Sequence, residues 1–473
     1  MDTSTHRPPP AAATPALPPG PRSRWGGFNH LLAMRRDYLG LMDRLHQAHG
    51  DISHMRIGNE QAYDLMSPEL VREALITNAE HLVRWQRGVE VFAQALGDNV
   101  LTTEGTLWQR QRRMLMPAFT PKRVAGYAAL MTEAGHNSLD ALANAPAREH
   151  AMDTLWNRMT IEVILRTLFG EARPGEADTA MHATEVMSAT AFKEMFWPVT
   201  LPDWLPLPGK AAKRAALRSL RQLINGRIEE RLAQAAKTDA TPTDLLSQLL
   251  ALRDEDGQAL SRQEVFDQCM VTFQAGHETS STALLWWSAL MARHPEAQAQ
   301  ARAEVRALLG TWASGQPSDA RDPVADDLPH LPWLTATLKE AMRLYPPVAA
   351  LMTRRTTAPI TLGGWAIPKG AMLRITPWVL HRDPRSFPEP LAFRPERFMA
   401  PHEAPPKGAY IPLGLGPRVC LGQHFAMLEM TLLAAMMLQR FELRWPKGAA
   451  EPVPQMHVTL RPKGGMRVGV VSA

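Results

Sequence analysis

The sequence predicts a mainly α-helical fold with a small β-rich lobe. Apolar residues recur with helical spacing over most of the chain, whereas strand-like runs are confined to residues 52–65 and 352–375. The longest helical pattern covers residues 262–293 and is apolar on most faces. At 1.5 Å per residue it spans about 48 Å, so this helix is expected to cross the middle of a large domain.

Each further element has its own signal along the chain. Ser261 followed by Glu264 forms a capping-box pattern ahead of the long helix, and Pro295 starts the next helix. Gly363-Gly364 predicts a hairpin turn within the second strand-like run, and the polar stretch 310–327 is typical of a loop. Helices are predicted over residues 67–78, 106–116, 121–142, 154–169, 210–235, 243–253, 262–293, 295–309 and 334–344.

The composition indicates a globular protein, and the absence of a linker indicates one domain. Apolar residues make up 45% and charged residues 21% of the 473 positions, as in ordinary globular proteins. No linker pattern interrupts the chain after residue 25. We expect a proline-rich, flexible tail over residues 1–25 and a single domain over residues 26–473.

Cysteine count, charge and hydropathy exclude several classes of protein. The two cysteines, Cys269 and Cys420, cannot form a disulfide framework or a multi-cysteine metal site, and they predict a cytoplasmic location. No apolar stretch reaches the ~20 residues of a membrane span, and no signal-peptide pattern is present, so no membrane anchor is expected. The net charge of +5 comes without a dense Lys/Arg run, which argues against nucleic acid as a partner.

Cys420 lies in an unusual local pattern. Gly414, Gly416 and Gly422 bracket it, and a helical pattern starts directly after it. Glycines permit tight turns and close approach to a bulky planar ligand, and a cysteine at a helix N-terminus gains thiolate character. Such a thiolate can be a nucleophile or an iron ligand, whereas a lone cysteine outside such a pattern is usually a small buried hydrophobe.

The segment around Cys420 resembles the heme-binding loop of the cytochrome P450 family, whose pattern is Phe-x-x-Gly-x-x-x-Cys-x-Gly. Gly416, Cys420 and Gly422 match this pattern, and Arg418 also fits the family. Leu413 departs from it, because the family has Phe there. The aromatic ring normally packs beside the thiolate, so its replacement bears on the redox poise of the iron and not on its ligation.

Further motifs resemble the same family, in the family's order. Glu340 and Arg343 match its Glu-x-x-Arg pair, which Arg397 would complete as a structural triad. Residues 275–279 resemble the oxygen-activation motif, and residues 108–112 resemble the helix that grips a heme propionate. The resemblance covers nearly the whole chain after the tail, and it implies a P450 fold with heme between the long central helix and the cysteine loop.

The resemblance implies heme b (iron protoporphyrin IX) as the cofactor and Cys420 as the iron ligand. Arg112, Arg418 and Arg354 are expected to meet the two propionates, with Arg355 as the alternative to Arg354 in register. Trp108 is expected to donate its indole N–H. Gly416, Gly422, Ala275 and Gly276 are also expected to bind the cofactor.

Two neighbouring residues are the predicted catalytic pair. Thr279 is expected to donate its hydroxyl back to a carbonyl one turn earlier and, with Gly276, to open the helix locally. Glu278 would relay protons from solvent, and Thr279 would present them on the oxygen-binding side. His277 occupies a variable position of the family motif and is not expected to be a ligand, whereas His424 and Cys269 are expected to be packed structural residues.

The resemblance also places the substrate pocket. Its walls are expected from a loop at residues 85–100, from residues 271–282 and 348–352, and from a turn at residues 455–458, with residues 185–208 as a mobile entrance. The candidate side chains are apolar, which predicts a fatty acid, terpenoid or aromatic substrate. They are Val89, Phe92, Leu96, Phe273, Ala349, Leu351, Met352 and Met456.

Electrons are expected from separate proteins, since the sequence shows neither a nucleotide fingerprint after a strand nor a cysteine cluster for an iron–sulfur centre. The leading hypothesis is a monomeric monooxygenase served by a ferredoxin or flavodoxin with its reductase. Arg110, Arg113, Lys122 and Arg123 form the predicted docking patch. A peroxygenase or isomerase on the same fold, a heme-binding sensor and a cysteine hydrolase remain as alternatives.

Overall fold

A computed structural model gives the fold of the chain. It describes residues 17–145, 148–195, 202, 204–205, 207, 209–235, 237, 244–312, 320–402 and 404–472. The described part of the chain is mainly helical, with a β-rich lobe built from both ends of the sequence. This arrangement confirms the predicted fold class.

Helices form most of the structure. In chain order they are α1 Phe28–Arg36, α2 Tyr38–His49, α3 Pro68–Arg72, α4 Gln86–Leu96, α5 Gly105–Leu115, α6 Pro121–Ala125, α7 Ala128–Ala143, α8 Met152–Phe169, α9 Glu176–Met195, α10 Lys210–Ala235, α11 Leu245–Ala251, α12 Arg262–Arg293, α13 Pro295–Leu309, α14 Pro332–Leu344, α15 Pro377–Leu380 and α16 Gln423–Arg440.

The strands are short. They are β1 Ile52–Ile57, β2 Glu60–Leu65, β3 Leu82–Arg84, β4 Glu149–Ala151, β5 Arg354–Thr356, β6 Ile360–Leu362, β7 Trp365–Ile367, β8 Met372–Ile375, β9 Phe441–Arg444, β10 Pro454–Met456, β11 Leu460–Pro462 and β12 Arg467–Ser472. The largest sheet has the order β1-β2-β8-β5-β3, with only β2 and β8 parallel. The β6–β7 and β10–β11 hairpins and the sheet β4-β12-β9 complete the set in the described residues.

Helix α12 crosses the core, as its apolar pattern predicts. Its side chains are buried along most of its length, and α8, α14 and α16 pack against it. The buried indoles of this region have polar partners: Trp156 Nε1 donates to Ser288 Oγ at 2.8 Å, and Trp287 Nε1 donates to Thr337 Oγ1 at 2.9 Å. Satisfied donors allow these large rings to remain in the apolar interior.

Several predicted helix boundaries are confirmed. The capping box of Ser261 and Glu264 is present at the start of α12, and α10, α12 and α13 have the predicted limits. The glycine turn at residues 363–364 joins β6 to β7. Helix α3 continues into a π-helical turn over Glu73–Thr77, which together cover the predicted helix at residues 67–78.

Other predictions are corrected. The helix predicted at residues 121–142 is broken into α6 and α7 around Gly126, and the loop predicted at residues 85–100 contains helix α4. The first part of the predicted entrance, residues 185–195, belongs to helix α9, and most of residues 196–208 lies outside the described residues. Helix α12 stays α-helical throughout, so the opening predicted near Gly276 does not occur.

The end of the predicted tail contacts the β-rich lobe. His54 N–H donates to Pro19 O at 2.9 Å, and a Cβ on Gly20 would lie 1.7 Å from His54 O. Residues 1–16 lie outside the described residues. Of the helices that the structure describes, none has both the length and the hydropathy to cross a membrane.

Candidate active site

A cavity lies between α12 and the loop that carries Cys420. About 980 Å³ of space between its walls is not filled by protein atoms, and this includes solvent at its mouth. Ala275, Gly276 and Thr279 line one side, and Cys420 and Gly422 line the other. The remaining walls are apolar apart from Ser280, Thr272, Trp108 and three arginines, and they include Val100, Leu101, Phe119, Ile164, Leu245, Val271, Leu413, Leu421 and Phe425.

Glycines set the path of the cysteine loop. Gly416 has a φ of 76°, and a Cβ on it would lie 2.1 Å from Leu75 O, so only glycine allows this close approach. Cys420 N–H donates to Leu413 O at 2.9 Å and closes the loop. A Cβ on Gly422 would meet no atom within 4 Å, and Gly422 lines the cavity. The loop therefore leaves open space directly beside Cys420.

The Cys420 thiol faces the cavity. It has exposed surface there although it lies deep in the protein, and burial is the largest effect on its pKa, which is raised. The N–H of Gly422 and the guanidinium of Arg112 oppose this shift and favour the thiolate. A thiolate in this position is suited to act as an iron ligand, because a bound iron would supply the positive charge that stabilises the thiolate.

Three arginines line one edge of the cavity, and a fourth, Arg354, lies beside them without lining it. Arg84, Arg112, Arg354 and Arg418 lie close enough for their charges to affect one another. Burial and the neighbouring guanidiniums lower the pKa of Arg84 to about 9 and that of Arg418 to about 10. Glu104 pairs with Arg418 and is the acid that raises the pKa of both. The cluster therefore has surplus positive charge and fits a ligand with two carboxylates.

Arg354 and Arg355 point to different partners. Arg354 is buried with the cluster and donates to Met352 O. Arg355 donates to Glu60 Oε1 at 2.6 Å and to Gly370 O at 2.8 Å. Of the two residues, Arg354 is therefore the one that lies with the arginine cluster, although it is not among the residues that line the cavity.

Trp108 supplies an independent test of the fit. Its ring lines the cavity beneath the Arg418 guanidinium, whose central carbon lies 3.7 Å from the ring centroid. Its Nε1–H is buried and has no hydrogen-bond partner among the described residues. A buried donor without a partner is rare in a protein. The orphaned donor, the arginine cluster and the open face of Gly422 together fit a planar ligand that carries carboxylates, as heme would with its two propionates.

Thr279 and Glu278 point in different directions from adjacent positions. Thr279 lines the cavity, and its Oγ1 donates to Ala275 O at 3.0 Å, as predicted. Glu278 is buried on a neighbouring face of α12, and its Oε1 accepts from Ser188 Oγ at 2.8 Å, from Thr459 Oγ1 at 2.8 Å and from Arg461 Nη2 at 3.0 Å. Its carboxylate thus joins α12 to α9 and to the β10–β11 hairpin.

Glu340 and Arg343 form a fully buried pair on α14. Arg343 donates to both Glu340 oxygens, at 2.7 and 2.8 Å, and Arg397 Nε lies 3.4 Å from Glu340 Oε1. Arg343 Nη1 also donates to His381 O at 2.8 Å, and His381 Nε2 accepts from Ile411 N–H at 2.9 Å. Burial lowers the pKa of His381 to about 3, which keeps the ring neutral. Through His381 the triad holds the segment that leads into the cysteine loop.

The predicted substrate residues are spread over other parts of the fold. Leu96, Phe273 and Ala349 belong to the buried core, and the Phe273 ring lies 5.4 Å from that of His277. Phe92, Leu351 and Met456 are partly buried against the hydrophobic clusters, and Val89 and Met352 are half-buried. None of these eight is among the residues that line the described cavity.

Sequence reasoning missed Glu429, which lies on α16 behind the cavity wall. It is fully buried, and neither carboxylate oxygen has a hydrogen bond of normal geometry within the described part of the chain. Burial raises its pKa to about 8, and the nearby Ser280 hydroxyl opposes that shift. Ser280 lines the cavity and lies next to Glu429, so a protonated carboxylic acid lies directly behind the cavity wall. A Glu in an otherwise apolar helical pattern is the only signal that could have revealed it.

The remaining cysteine and the two histidines near the site differ in how far they are buried. Cys269 is buried in the core, and burial raises the pKa of its thiol, which fits the predicted packing role. His277 is buried with Nδ1 2.8 Å from Phe273 O, whereas His424 is exposed and not packed as predicted.

The predicted basic patch is partly neutralised. Arg110 pairs with Asp254 at 2.7 Å and with Glu264 at 2.6 Å, and Arg113 pairs with Glu255. Lys122 and Arg123 are exposed.

Comparison with known proteins shows similarity over most of the chain. The family model for cytochrome P450 matches residues 18–468. The chain is 35% identical to cyclooctatin synthase of Streptomyces melanosporofaciens, over 92% of each chain. It is 32% identical to cyclooctat-9-en-7-ol 5-monooxygenase of the same organism, over 88% of this chain and 87% of the relative. It is 31% identical to pentalenene oxygenase of Streptomyces avermitilis, over 88% of each chain. The chain therefore belongs to the cytochrome P450 family of heme-iron monooxygenases.

Proposed function

We propose that this monooxygenase inserts oxygen into a hydrophobic small molecule of the terpenoid class, with heme b as cofactor and electrons from a separate redox protein. The observation that carries the proposal is the cavity in which Cys420 and Thr279 lie on opposite walls beside an arginine cluster. The relatives named for cyclooctat-9-en-7-ol and pentalenene support a terpenoid over the fatty acid and aromatic alternatives.

Each group of residues has a distinct task in this proposal. Cys420 would ligate the heme iron and supply electron density to it, while Arg112, Arg354, Arg418 and Trp108 would hold the propionates. The heme iron, when bound, supplies the activation of dioxygen. The apolar walls exclude bulk water and leave the substrate with few polar contacts.

Proton delivery is assigned to Glu278 and Thr279. The Thr279 hydroxyl already lies in the cavity, and rotation about its χ1 can turn its proton from Ala275 O toward the oxygen-binding side. Glu278 is buried but joined through Arg461, which is only partly buried, to the protein surface. We assign Arg461 the task of holding the Glu278 carboxylate in position, on the side from which solvent is reached.

The alternatives are less well supported. A cysteine hydrolase needs a general base near Cys420, and among the described residues lining the cavity there is no His, Asp or Glu. A peroxygenase, an isomerase or a heme sensor needs no net supply of protons from solvent, so the proposed relay through Glu278 and Thr279 would serve only the monooxygenase. This preference rests on the network around Glu278.

The electron donor is proposed to be an acidic ferredoxin or flavodoxin with its reductase, acting on a monomer of this chain. Because Arg110 and Arg113 are paired with acids, Lys122 and Arg123 become the proposed docking cations. Reversal of both charges, Lys122→Glu with Arg123→Glu, is expected to slow reduction at low salt and to have little effect at high salt. Unchanged reduction at low salt would remove this surface from the proposal. The cytoplasmic location predicted from the cysteine content remains a prediction.

The function is tested by reconstitution. The heme-loaded protein, a surrogate ferredoxin and its reductase are incubated with a panel of terpenes, fatty acids and aromatics. Terpenes are expected to displace water from the ferric heme, as seen in its absorbance spectrum, and to yield oxygenated product in proportion to electrons consumed. Turnover of fatty acids with no response to any terpene would contradict the proposed substrate class, and peroxide-only turnover would favour the peroxygenase.

A further inference from the structure

An exposed apolar surface lies near the start of the described chain. Among the described residues, four of the 13 exposed large apolar side chains fall between residues 17 and 32. Trp25, Phe28 and Leu32 are 77%, 54% and 58% exposed. Such a concentration of large apolar side chains on the surface of a folded protein marks an interaction site.

Helix α1 carries this surface on its outer side. His30 and Met34 are buried and anchor the helix to the β-rich lobe. Phe28 and Leu32 lie one turn apart on the opposite, exposed side, and Arg35 continues the same face one turn later. The outer side of the helix therefore presents apolar groups that pass directly into basic groups.

Trp25 stands on a turn with an unusual backbone. Trp25, Gly26 and Gly27 have φ angles of 49°, 66° and 90°, and a tryptophan is rarely found in that region. A Cβ on Gly27 would lie 2.0 Å from Arg56 O, and Gly58 N–H donates to Gly26 O at 2.9 Å. The turn is thus fixed to the β1–β2 hairpin. Because this backbone conformation is unfavourable for tryptophan and leaves the indole in solvent, we expect the indole to contact a ligand.

Positive charge surrounds the apolar groups. Residues 17–36 contain four arginines and no acidic residue, and Arg22, Arg24, Arg35 and Arg36 are all exposed. The first acid after them, Asp37, is paired with Arg44 at 3.5 Å. The complementary ligand must therefore be anionic as well as apolar. We call these four arginines, with Trp25, Phe28 and Leu32, the N-terminal patch.

We propose that the N-terminal patch docks the protein on an anionic lipid surface. Tryptophan prefers the boundary between headgroups and acyl chains, and a helix with apolar and arginine side chains on one side lies in that boundary plane. The arginines meet lipid phosphates while Phe28 and Leu32 enter the acyl region. Because the groups project from a turn and the outer side of a helix, they can enter a bilayer without rearrangement of the fold. This inference is independent of the proposed substrate and electron donor.

The test is sedimentation of the heme-loaded, full-length protein with lipid vesicles. Vesicles of phosphatidylcholine with 30% phosphatidylglycerol are expected to bind the protein, and vesicles of pure phosphatidylcholine to bind it weakly. The variant Arg35→Gln with Arg36→Gln should partition roughly 25-fold more weakly, since each arginine contributes about fivefold near an anionic surface. The variant Trp25→Ala with Phe28→Ser should lose on the order of tenfold or more.

Matched controls distinguish the patch from general stickiness and charge. Val453→Ser removes an exposed apolar side chain elsewhere, and Arg148→Gln with Arg218→Gln removes two exposed charges elsewhere, so both variants should bind as the parent does. A chain lacking residues 1–16 should also bind. The proposal is overturned by absent vesicle binding, by equal binding to neutral vesicles, by patch variants that bind normally, or by loss of binding in the shortened chain. An unchanged heme spectrum checks that each variant is folded.

Discussion

Replacement of Trp108 by phenylalanine tests how the cavity holds its cofactor. The buried Nε1–H of Trp108 has no partner among the described residues, while its ring stacks beneath Arg418 at 3.7 Å. Phenylalanine keeps an aromatic face for the guanidinium and removes only the indole donor and part of the ring. The substitution thus separates a contact to the cofactor from the packing of the protein.

The expected magnitudes differ between cofactor and protein. A hydrogen bond from a neutral donor to a charged acceptor contributes about 1.5–3 kcal/mol, so Trp108→Phe should weaken cofactor retention by roughly 10- to 150-fold. The free energy of unfolding of cofactor-free protein should fall by no more than about 1 kcal/mol, because no protein hydrogen bond is lost and the removal of an unsatisfied buried donor offsets the lost contact area.

Cofactor retention is measured as the rate of heme transfer to excess apomyoglobin, and stability is measured by urea unfolding. Trp445→Phe is the matched control, because Trp445 also lies under an arginine, with Arg293 6.0 Å from its ring, and is not among the residues lining the cavity. Heme transfer from Trp108→Phe at the rate of Trp445→Phe would refute the assignment of the indole donor to a propionate.

Three further substitutions test other parts of the site. Arg461→Gln removes the 3.0 Å ion pair to Glu278, so it should lower the fraction of electrons recovered in product and increase the solvent isotope effect. The exposed control Arg444→Gln should change neither quantity. An Arg461→Gln variant that recovers electrons in product as the parent does would argue against the relay. Burial raises the pKa of Glu429 from 4.5 to about 8, so between these pH values the folded state binds more protons than the unfolded state. The contribution of Glu429 to the free energy of unfolding therefore falls as the pH rises through this window, by about 5 kcal/mol in total. Glu429→Gln should therefore gain stability relative to the parent from pH 4.5 to 8, and parallel urea-unfolding profiles would contradict the buried acid. In Gly416→Ala the new Cβ would lie 2.1 Å from Leu75 O at a backbone φ of 76°, so the loop must shift and heme incorporation should fall severalfold. Gly448→Ala is the control for backbone strain alone, because its Cβ would contact no atom at a φ of 78°.

The long helix and the cysteine loop could be predicted because their signals are local. A capping box, an unbroken apolar pattern and three glycines around one cysteine occur within short stretches of sequence. Thr279 and Glu278 are adjacent in the sequence, but the hydrogen bonds of Glu278 with Ser188, Thr459 and Arg461 join distant segments. Such contacts depend on how α9 and the β10–β11 hairpin pack on α12, which no local pattern encodes.

The orientation of Phe273 follows from helix geometry and could be predicted from the sequence. Successive residues of an α-helix are rotated by about 100°, so Phe273 lies about 160° from Ala275 around α12. If Ala275 and Thr279 face the cavity, Phe273 must face the core, as it does. Ile164 and Leu245, by contrast, reach the cavity from α8 and α11, and only the tertiary packing of those helices reveals them.

The central claim is that Cys420 ligates the iron of a heme bound between α12 and the cysteine loop. The absorbance spectrum of the reduced, carbon monoxide-bound protein tests it most directly. The account predicts the strongly red-shifted Soret band of thiolate-ligated heme in the parent protein and its loss in Cys420→Ser, while Cys269→Ser retains it because Cys269 is buried in the core. A folded, heme-loaded parent without that band, or a Cys420→Ser variant that keeps it, would contradict the account.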